Sequence, residues 1–434
     1  MYRQIKIHDE DLSFQRIVWR ENEKQKLQTY ELSTLTYGLS CAPFLAIRCI
    51  HELANENSSR QPLGAATLLR DTYVDDILSG AHNVDEVQEL IFQLNRVLMA
   101  GGFNARKWTS NYSEALTYIS SELIEKMNTV DIDDNHSPRA LGLIWNNVND
   151  HFLLSLDNIH ESSIKITKRS VLSFIARLFD PLGWLSPLII TAKIIMQDLW
   201  TRKLDWDESL PHDLERKWLS FINEFRGVPT IRVPRWLGIN KTATSIELHG
   251  FSDVSNSPYG AVIYLRVSKL GEVKVSIMNS KRKVAPLKSV TIPRLELCAA
   301  VLLVRLMKRI ISVLDIQNIP VQLWSDSTVA LSWIYSHPSK WKDYVRNRTI
   351  EIQKLSQAQW SYVSSQDNPA VLASRGVHIH QLQNETLWWS GPSWLSLPSS
   401  KWPSHQPSTT SEADRERRSN QTIHTASLTN GWYG

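Results

Sequence analysis

The sequence predicts a multidomain chain of mixed α/β and α+β architecture. Three observations carry this reading. Helical and strand-like pieces alternate as far as about Trp108. A proline-punctuated helical stretch runs over 168–235. From Ser245 the order becomes strand, strand, strand, helix, strand, helix, helix. With 434 residues the chain has room for two to four domains, each with its own core.

The elements follow in order. Thr36 to Leu53 opens on a glycine turn, passes Pro43 and continues at helical apolar spacing. Two short β-prone runs then flank Asp75-Asp76, which predicts a hairpin carrying both carboxylates at its turn. Val84 to Met99 is amphipathic and is closed by Gly101-Gly102. A helix, an acidic loop at Asp131–Asp134 and a hairpin around Leu141–Leu154 are expected between 110 and 165. Pro181, Pro187 and Pro211 break the next stretch into helices that pack through Trp184, Trp200, Trp206 and Trp218. Past Ser245, the long helix from Thr291 to Leu314 serves as the crossover that a parallel strand pair requires. Beyond about Pro398 the chain is rich in Ser, Thr, Pro and Asn, and a disordered tail over 398–434 is expected.

Apolar residues make up 42% and charged residues 21%, the range of an ordinary globular chain. The net charge of +4 neither demands nor excludes a polyanionic partner. Basic runs at Lys281-Arg282-Lys283 and Arg415–Arg418 are assigned to solvated surface. Three cysteines without a CxxC pair exclude a thiolate zinc site and point to a reducing compartment. The N-terminus has no apolar signal-peptide core, and the longest apolar stretches are interrupted by Lys193 and Arg305. An intracellular, cytoplasmic or nuclear protein with no membrane partner is expected.

Two carboxylate constellations carry chemistry. Phosphoryl transfer uses divalent ions, and Mg²⁺ takes oxygen ligands, often only one or two of them protein carboxylates. Asp75 and Asp76 on a stiff hairpin supply such a pair. The second set comes from three elements: Asp253 ends a strand, Glu296 lies in the first turns of the long helix, and Asp326 ends the strand parallel to the first. Strand C-terminal ends are where open α/β sheets place ligands, so these acids should meet on one side of the sheet. Glu296 is the telling member, because it sits between Leu295 and Leu297 in an apolar face where an acid needs a metal or a cation.

Tyr73-Val74-Asp75-Asp76 resembles the YxDD motif of reverse transcriptases. Phe14 to Arg20, Thr36 to Ala46, Gly101 to Asn111, Ser173 to Gly183 and Leu387 to Pro392 resemble BEL/Pao long-terminal-repeat retrotransposons, over roughly 1–396. Phe251-Ser252-Asp253-Val254-Ser255, Pro293 to Leu297 and Trp324 to Ser327 resemble the ribonuclease H-like domain of the same elements. The resemblance implies a fragment of a Pol polyprotein. Its segments would be a partial reverse-transcriptase palm over 1–110, a thumb-like piece over 111–165, a helical connection over 166–240 and an RNase H-like domain over 245–380. It further implies Mg²⁺ or Mn²⁺ at Asp75, Asp76, Asp253, Glu296 and Asp326, with RNA–DNA hybrid or DNA as partner. Tyr73, Lys107 and Trp108 would contact the nucleic acid.

Two departures accompany the resemblance. A third palm carboxylate would precede Met1-Tyr2-Arg3-Gln4-Ile5 and is expected to be missing together with the fingers; Asp9 and Asp11 lie downstream of its position. No processive DNA synthesis is therefore expected of this chain alone. The fourth RNase H-like acid falls at Val371, within Asn368-Pro369-Ala370-Val371-Leu372-Ala373-Ser374-Arg375-Gly376, so a weak or metal-demanding nuclease is expected. The alternative is a catalytically dead relic that only binds nucleic acid or a partner. A protease is excluded, because Asp326-Ser327-Thr328 lacks the glycine of an aspartic-protease loop.

Overall fold

The computed structural model describes residues 1–125, 139–140, 143–154, 156, 165–225, 228–240, 243–256, 258–288, 290–314, 316, 318–403 and 411–418. The chain forms two compact units, one of Met1–Leu154 with Arg232–Trp236 and one of Ser155–Ile231 with Leu237–Gly434. The expected acidic loop at Asp131–Asp134 lies outside the described residues.

In the first unit, β1 (Arg16–Trp19) and β2 (Gln28–Glu31) form an antiparallel ribbon. Helices α1 (Ala42–Asn57), α2 (Pro62–Arg70) and α3 (Val84–Ala100) follow, with the two-residue strands β3 (Thr72–Tyr73) and β4 (Asp76–Ile77) between α2 and α3. Apolar residues at helical spacing on these helices, among them Ile50, Ala54, Leu68, Leu94 and Val97, close a small core. Asn83 caps α3 by accepting the Glu86 N–H. A small sheet of β5 (Arg139–Ala140), β6 (Leu143–Asn146), β7 (His151–Leu154) and β8 (Ile231–Pro234) completes the unit. Of the helix expected between 110 and 165, the described residues hold only a 3-10 turn, Ser113–Leu116, too short to bury an apolar stripe.

The second unit is built on a five-stranded sheet. Its strands are β9 (Ser245–Val254), β10 (Pro258–Lys269), β11 (Glu272–Val284), β12 (Val321–Ser325) and β13 (Ala358–Tyr362), in the spatial order β11-β10-β9-β12-β13. The first three pair antiparallel through hairpins, while β12 runs parallel to both β9 and β13. The crossover is α7 (Ile292–Leu314), whose residues Leu297, Ala300, Leu303, Val304 and Met307 are buried against the sheet. Helices α8 (Thr328–Tyr335) and α9 (Asp343–Gln353) link β12 to β13, and α10 (Ala370–Arg375) follows.

Three helices precede the sheet: α4 (Lys168–Arg177), α5 (Ser186–Thr201) and α6 (His212–Asn223). Phe174, Trp218, Phe221 and Phe225 pack between them, edge to face except for the stacked Trp218–Phe221 pair. The α4–α5 turn then docks on strand β11. Ser280 N–H donates to the Leu182 carbonyl at 2.9 Å, and Ser280 Oγ donates to the Gly183 carbonyl at 2.7 Å. Asp180 is buried beside Arg282, 3.3 Å away, and accepts backbone N–H groups of Gly183, Trp184 and Leu185. Burial raises the Asp180 carboxyl and lowers the Arg282 guanidinium, and their mutual attraction opposes both shifts.

Several expectations are corrected here. Strand β13 was not foreseen, because Trp360 is its only fully buried side chain and the strand shows no clean apolar run. Arg282 is not solvated surface, since the pair with Asp180 takes it inside. Trp200 and Trp206 are 49% and 39% exposed and hold the Lys168 ammonium between them, 3.5 Å and 5.0 Å from the rings. Part of the expected disordered tail is folded. Ala413 is buried and its carbonyl accepts the Trp333 indole N–H, Glu416 pairs with Arg294, and Arg417 bridges Trp341. One apolar residue among charges leaves no periodicity, which is why composition missed the docking. Residues 404–410 and 419–434 lie outside the described residues.

Candidate active site

Strand β9 is central in the sheet and buried from Leu248 to Val254, and near its end it carries Ser252 and Asp253, where Ser252 registers with Ser325 of β12. Asp326 follows Ser325 directly, so the two aspartates leave adjacent parallel strands at the same end. Glu296 enters from the second turn of α7, which the crossover lays over that end. One carboxylate oxygen from each of the three acids lies within 4.8 Å of the others. Among the described residues this is the only group of three or more His, Cys, Asp or Glu side chains so arranged.

Asp253 is 1% exposed and Glu296 9%. Asp326 is half-buried. Glu296 Oε2 and Asp326 Oδ1 are buried without a hydrogen-bond partner among the described residues. Burial first, and then the negative charges of Asp326 and Asp253, push Glu296 up to about 9. Burial and the Asp326 charge push Asp253 up to about 7, opposed by a hydrogen bond from Ser374 and by Arg375. Three acids this close and this dry repel one another unless protons or a cation neutralise them. Their oxygens and spacing suit a hard divalent cation.

The segment after β13 supplies partners that sequence reasoning missed. Ser365 Oγ donates to Asp326 Oδ2 at 2.5 Å, and Ser374 Oγ donates to Asp253 Oδ2. Asn368 Nδ2 donates to the Ser252 carbonyl at 3.0 Å. At Gly260, which pairs with Asp253 across the sheet, an added Cβ would lie 2.8 Å from the Ala373 Cβ, so glycine lets α10 reach the strand. Val371, the expected fourth acid position, lies one turn before Ser374 on α10, and its carbonyl oxygen is 3.0 Å from Ser374 Oγ.

The first constellation stands differently. Asp75 occupies the turn with Val74, while Asp76 begins β4 opposite Tyr73, so only one carboxylate is at the turn itself. Val74 has φ of 55°, a left-handed conformation that a β-branched residue adopts only under strain. Burial and the neighbouring Asp75 raise the Asp76 carboxyl, and Lys107 opposes them. Tyr73 is 63% exposed beside the pair. Trp108 packs against the apolar core of the helices instead. Among the described residues no third acid joins Asp75 and Asp76 at ligand spacing.

Residues 167–327 match the family model for the Pao retrotransposon-like RNaseH-like domain. The match contains Asp253, Glu296 and Asp326, and it runs from α4 through β12, so it takes in the three helices and four of the five strands of the sheet. Among solved structures, the chain is similar to the foamy viral protease-reverse transcriptase dRH in complex with double-stranded DNA. The identity is 14% and the TM-score 0.50, over 83% of this chain and 54% of that one. It is also similar to the foamy viral protease-reverse transcriptase in complex with an RNA/DNA hybrid, at 14% identity and a TM-score of 0.47, over 83% of this chain and 42% of that one. The chain thus spans about half the length of the first of these structures. The first likeness speaks for a shared mixed α/β fold. No curated protein matches the chain in sequence. No helix among the described residues is long and apolar enough to cross a membrane.

Proposed function

We propose that the chain is a retrotransposon Pol fragment whose RNaseH-like unit cleaves the RNA strand of an RNA–DNA hybrid at Asp253, Glu296 and Asp326. The convergence of three acids from β9, α7 and the end of β12, with two buried oxygens that have no hydrogen-bond partner among the described residues, is the observation that carries this reading. Within the RNaseH-like domain these residues would hold Mg²⁺ or Mn²⁺. A bound divalent ion would supply charge neutralisation at the scissile phosphate and a more acidic water. Asp253 and Asp326, fixed on adjacent strand ends, orient the ligand oxygens. Glu296 closes the third side and must give up its proton for the site to load.

Val371 contributes no ligand, so the proposed nuclease is weak and favours Mn²⁺, which tolerates an incomplete oxygen shell better than Mg²⁺. The Asp75–Asp76 hairpin is, on this reading, a polymerase remnant next to which Tyr73 and Lys107 meet nucleic acid. The test is cleavage of a labelled RNA–DNA hybrid by the full chain in Mn²⁺. Asp326→Ala should lower the rate at least about a hundredfold, as loss of one essential group in a concerted site does. Val371→Asp should raise the rate in Mg²⁺. A wild-type rate no higher than that of Asp326→Ala would refute the nuclease and leave a relic that only binds.

A further inference from the structure

Each aspartate of the cluster has one oxygen already committed. Asp326 Oδ2 accepts from Ser365 Oγ at 2.5 Å, and its Oδ1 is buried without a partner among the described residues. Asp253 Oδ2 accepts from Ser374 Oγ. Both hydroxyls come from one stretch of chain, the ten residues from Ser365 in the loop after β13 to Ser374 in the last turn of α10.

That stretch is itself anchored where it would have to be rigid. Ser374 is fully buried, and its carbonyl accepts Ser255 Oγ at 2.9 Å, which ties α10 to the residues just past β9. Asn368 is fully buried, spanning the Ser252 carbonyl at 3.0 Å and the Ala370 N–H at 3.1 Å. Val363 N–H donates to the Ser325 carbonyl at 3.1 Å, which fixes the start of the loop against β12. A carboxylate held at one oxygen loses its free rotation, so its second oxygen points in a set direction before any ligand arrives.

We infer that Ser365 and Ser374 are positioning residues, which latch one oxygen of Asp326 and of Asp253 and thereby turn the other toward the cation held with Glu296. The inference rests on the metal-site reading above and deepens it. It also assigns a role to the segment around Val371 that needs no carboxylate there. Among the described residues Glu296 Oε2 has no such latch; the packing of α7 holds the side chain.

The experiment is Mn²⁺ binding to the full chain, followed by electron paramagnetic resonance of the free ion, with thermal melting in EDTA as the control for folding. Ser365→Ala and Ser374→Ala should each weaken Mn²⁺ binding by about tenfold or more, the usual cost of losing a partner behind a ligand. Ser365→Thr, which keeps the hydroxyl at an exposed position, should restore affinity to within about threefold. Melting of the metal-free Ser365→Ala chain should match the wild type, which a merely structural role would not allow. Wild-type binding that both alanine variants retain unchanged overturns the positioning role while leaving the metal site standing. A wild-type chain that takes up no Mn²⁺ overturns the metal site and the positioning role with it. Should Ser374→Ala fail to fold, the Ser365 pair of variants decides alone.

Discussion

Glu296→Gln should make the metal-free chain more stable at pH 8, by on the order of a few kcal/mol. The folded state raises this carboxyl from the ordinary 4.5 to about 9, so it holds its proton more tightly than the unfolded chain does. The resulting stability is fully present below pH 4.5 and is lost as pH rises through 9. Asp253, raised from 3.8 to about 7, loses stability in the same direction over a lower window. Glutamine has the shape of the protonated acid and cannot ionise, so the upper part of the loss disappears. Denaturation in EDTA between pH 5 and 9 measures this, and the two chains should diverge as pH rises. With saturating Mn²⁺ the order should invert, because glutamine offers a poorer ligand. A variant less stable than wild type in EDTA at pH 8 would show that Glu296 is held by something other than unrelieved burial and repulsion.

The largest loss of stability is expected from Gly183→Ala. Gly183 has φ of 77°, and a Cβ built there would lie 1.9 Å from the Ser280 carbonyl oxygen. No rotamer relieves a clash between two backbones, so the α4–α5 turn must lift from β11. That would break the Ser280 N–H and Oγ bonds and unseat the buried Asp180–Arg282 pair. Left-handed strain, overpacking and the exposed charges together should cost at least about 3 kcal/mol. Because the chain has two units, hydrogen exchange localised to α5 and β11 is a cleaner readout than a single melting temperature. Protection there equal to wild type would mean that the helices do not depend on this turn for their place on the sheet.

Much of this was legible in the sequence. The order of strands from Ser245 and the continuous apolar face of α7 predicted a mixed sheet with a helical crossover, and Glu296 stood out as an acid among leucines. The convergence of Asp253, Glu296 and Asp326 followed from their places at strand ends and helix start. What stayed hidden depends on side-chain hydrogen bonds and on single anchors. Serine and asparagine leave no periodic trace, so Ser365, Asn368 and Ser374 could not be told from ordinary loop residues. Ala413 escaped notice for the same reason, since one small buried residue fixes its segment. The Asp75–Asp76 hairpin was foreseen, but not the strained Val74 that lets it turn in two residues. Trp360 alone could not announce β13.

On the proposed reading Asp253, Glu296 and Asp326 form a divalent-cation site that must shed protons to load. Calorimetric titration of Mn²⁺ into the full chain at pH 7, in two buffers of different ionisation enthalpy, tests it directly. With Glu296 near 9 and Asp253 near 7, each bound ion should release about one to two protons. The same titration of Asp326→Ala should show little or no binding heat. Mn²⁺ binding without proton release, or binding that survives in Asp326→Ala, would contradict the site described here.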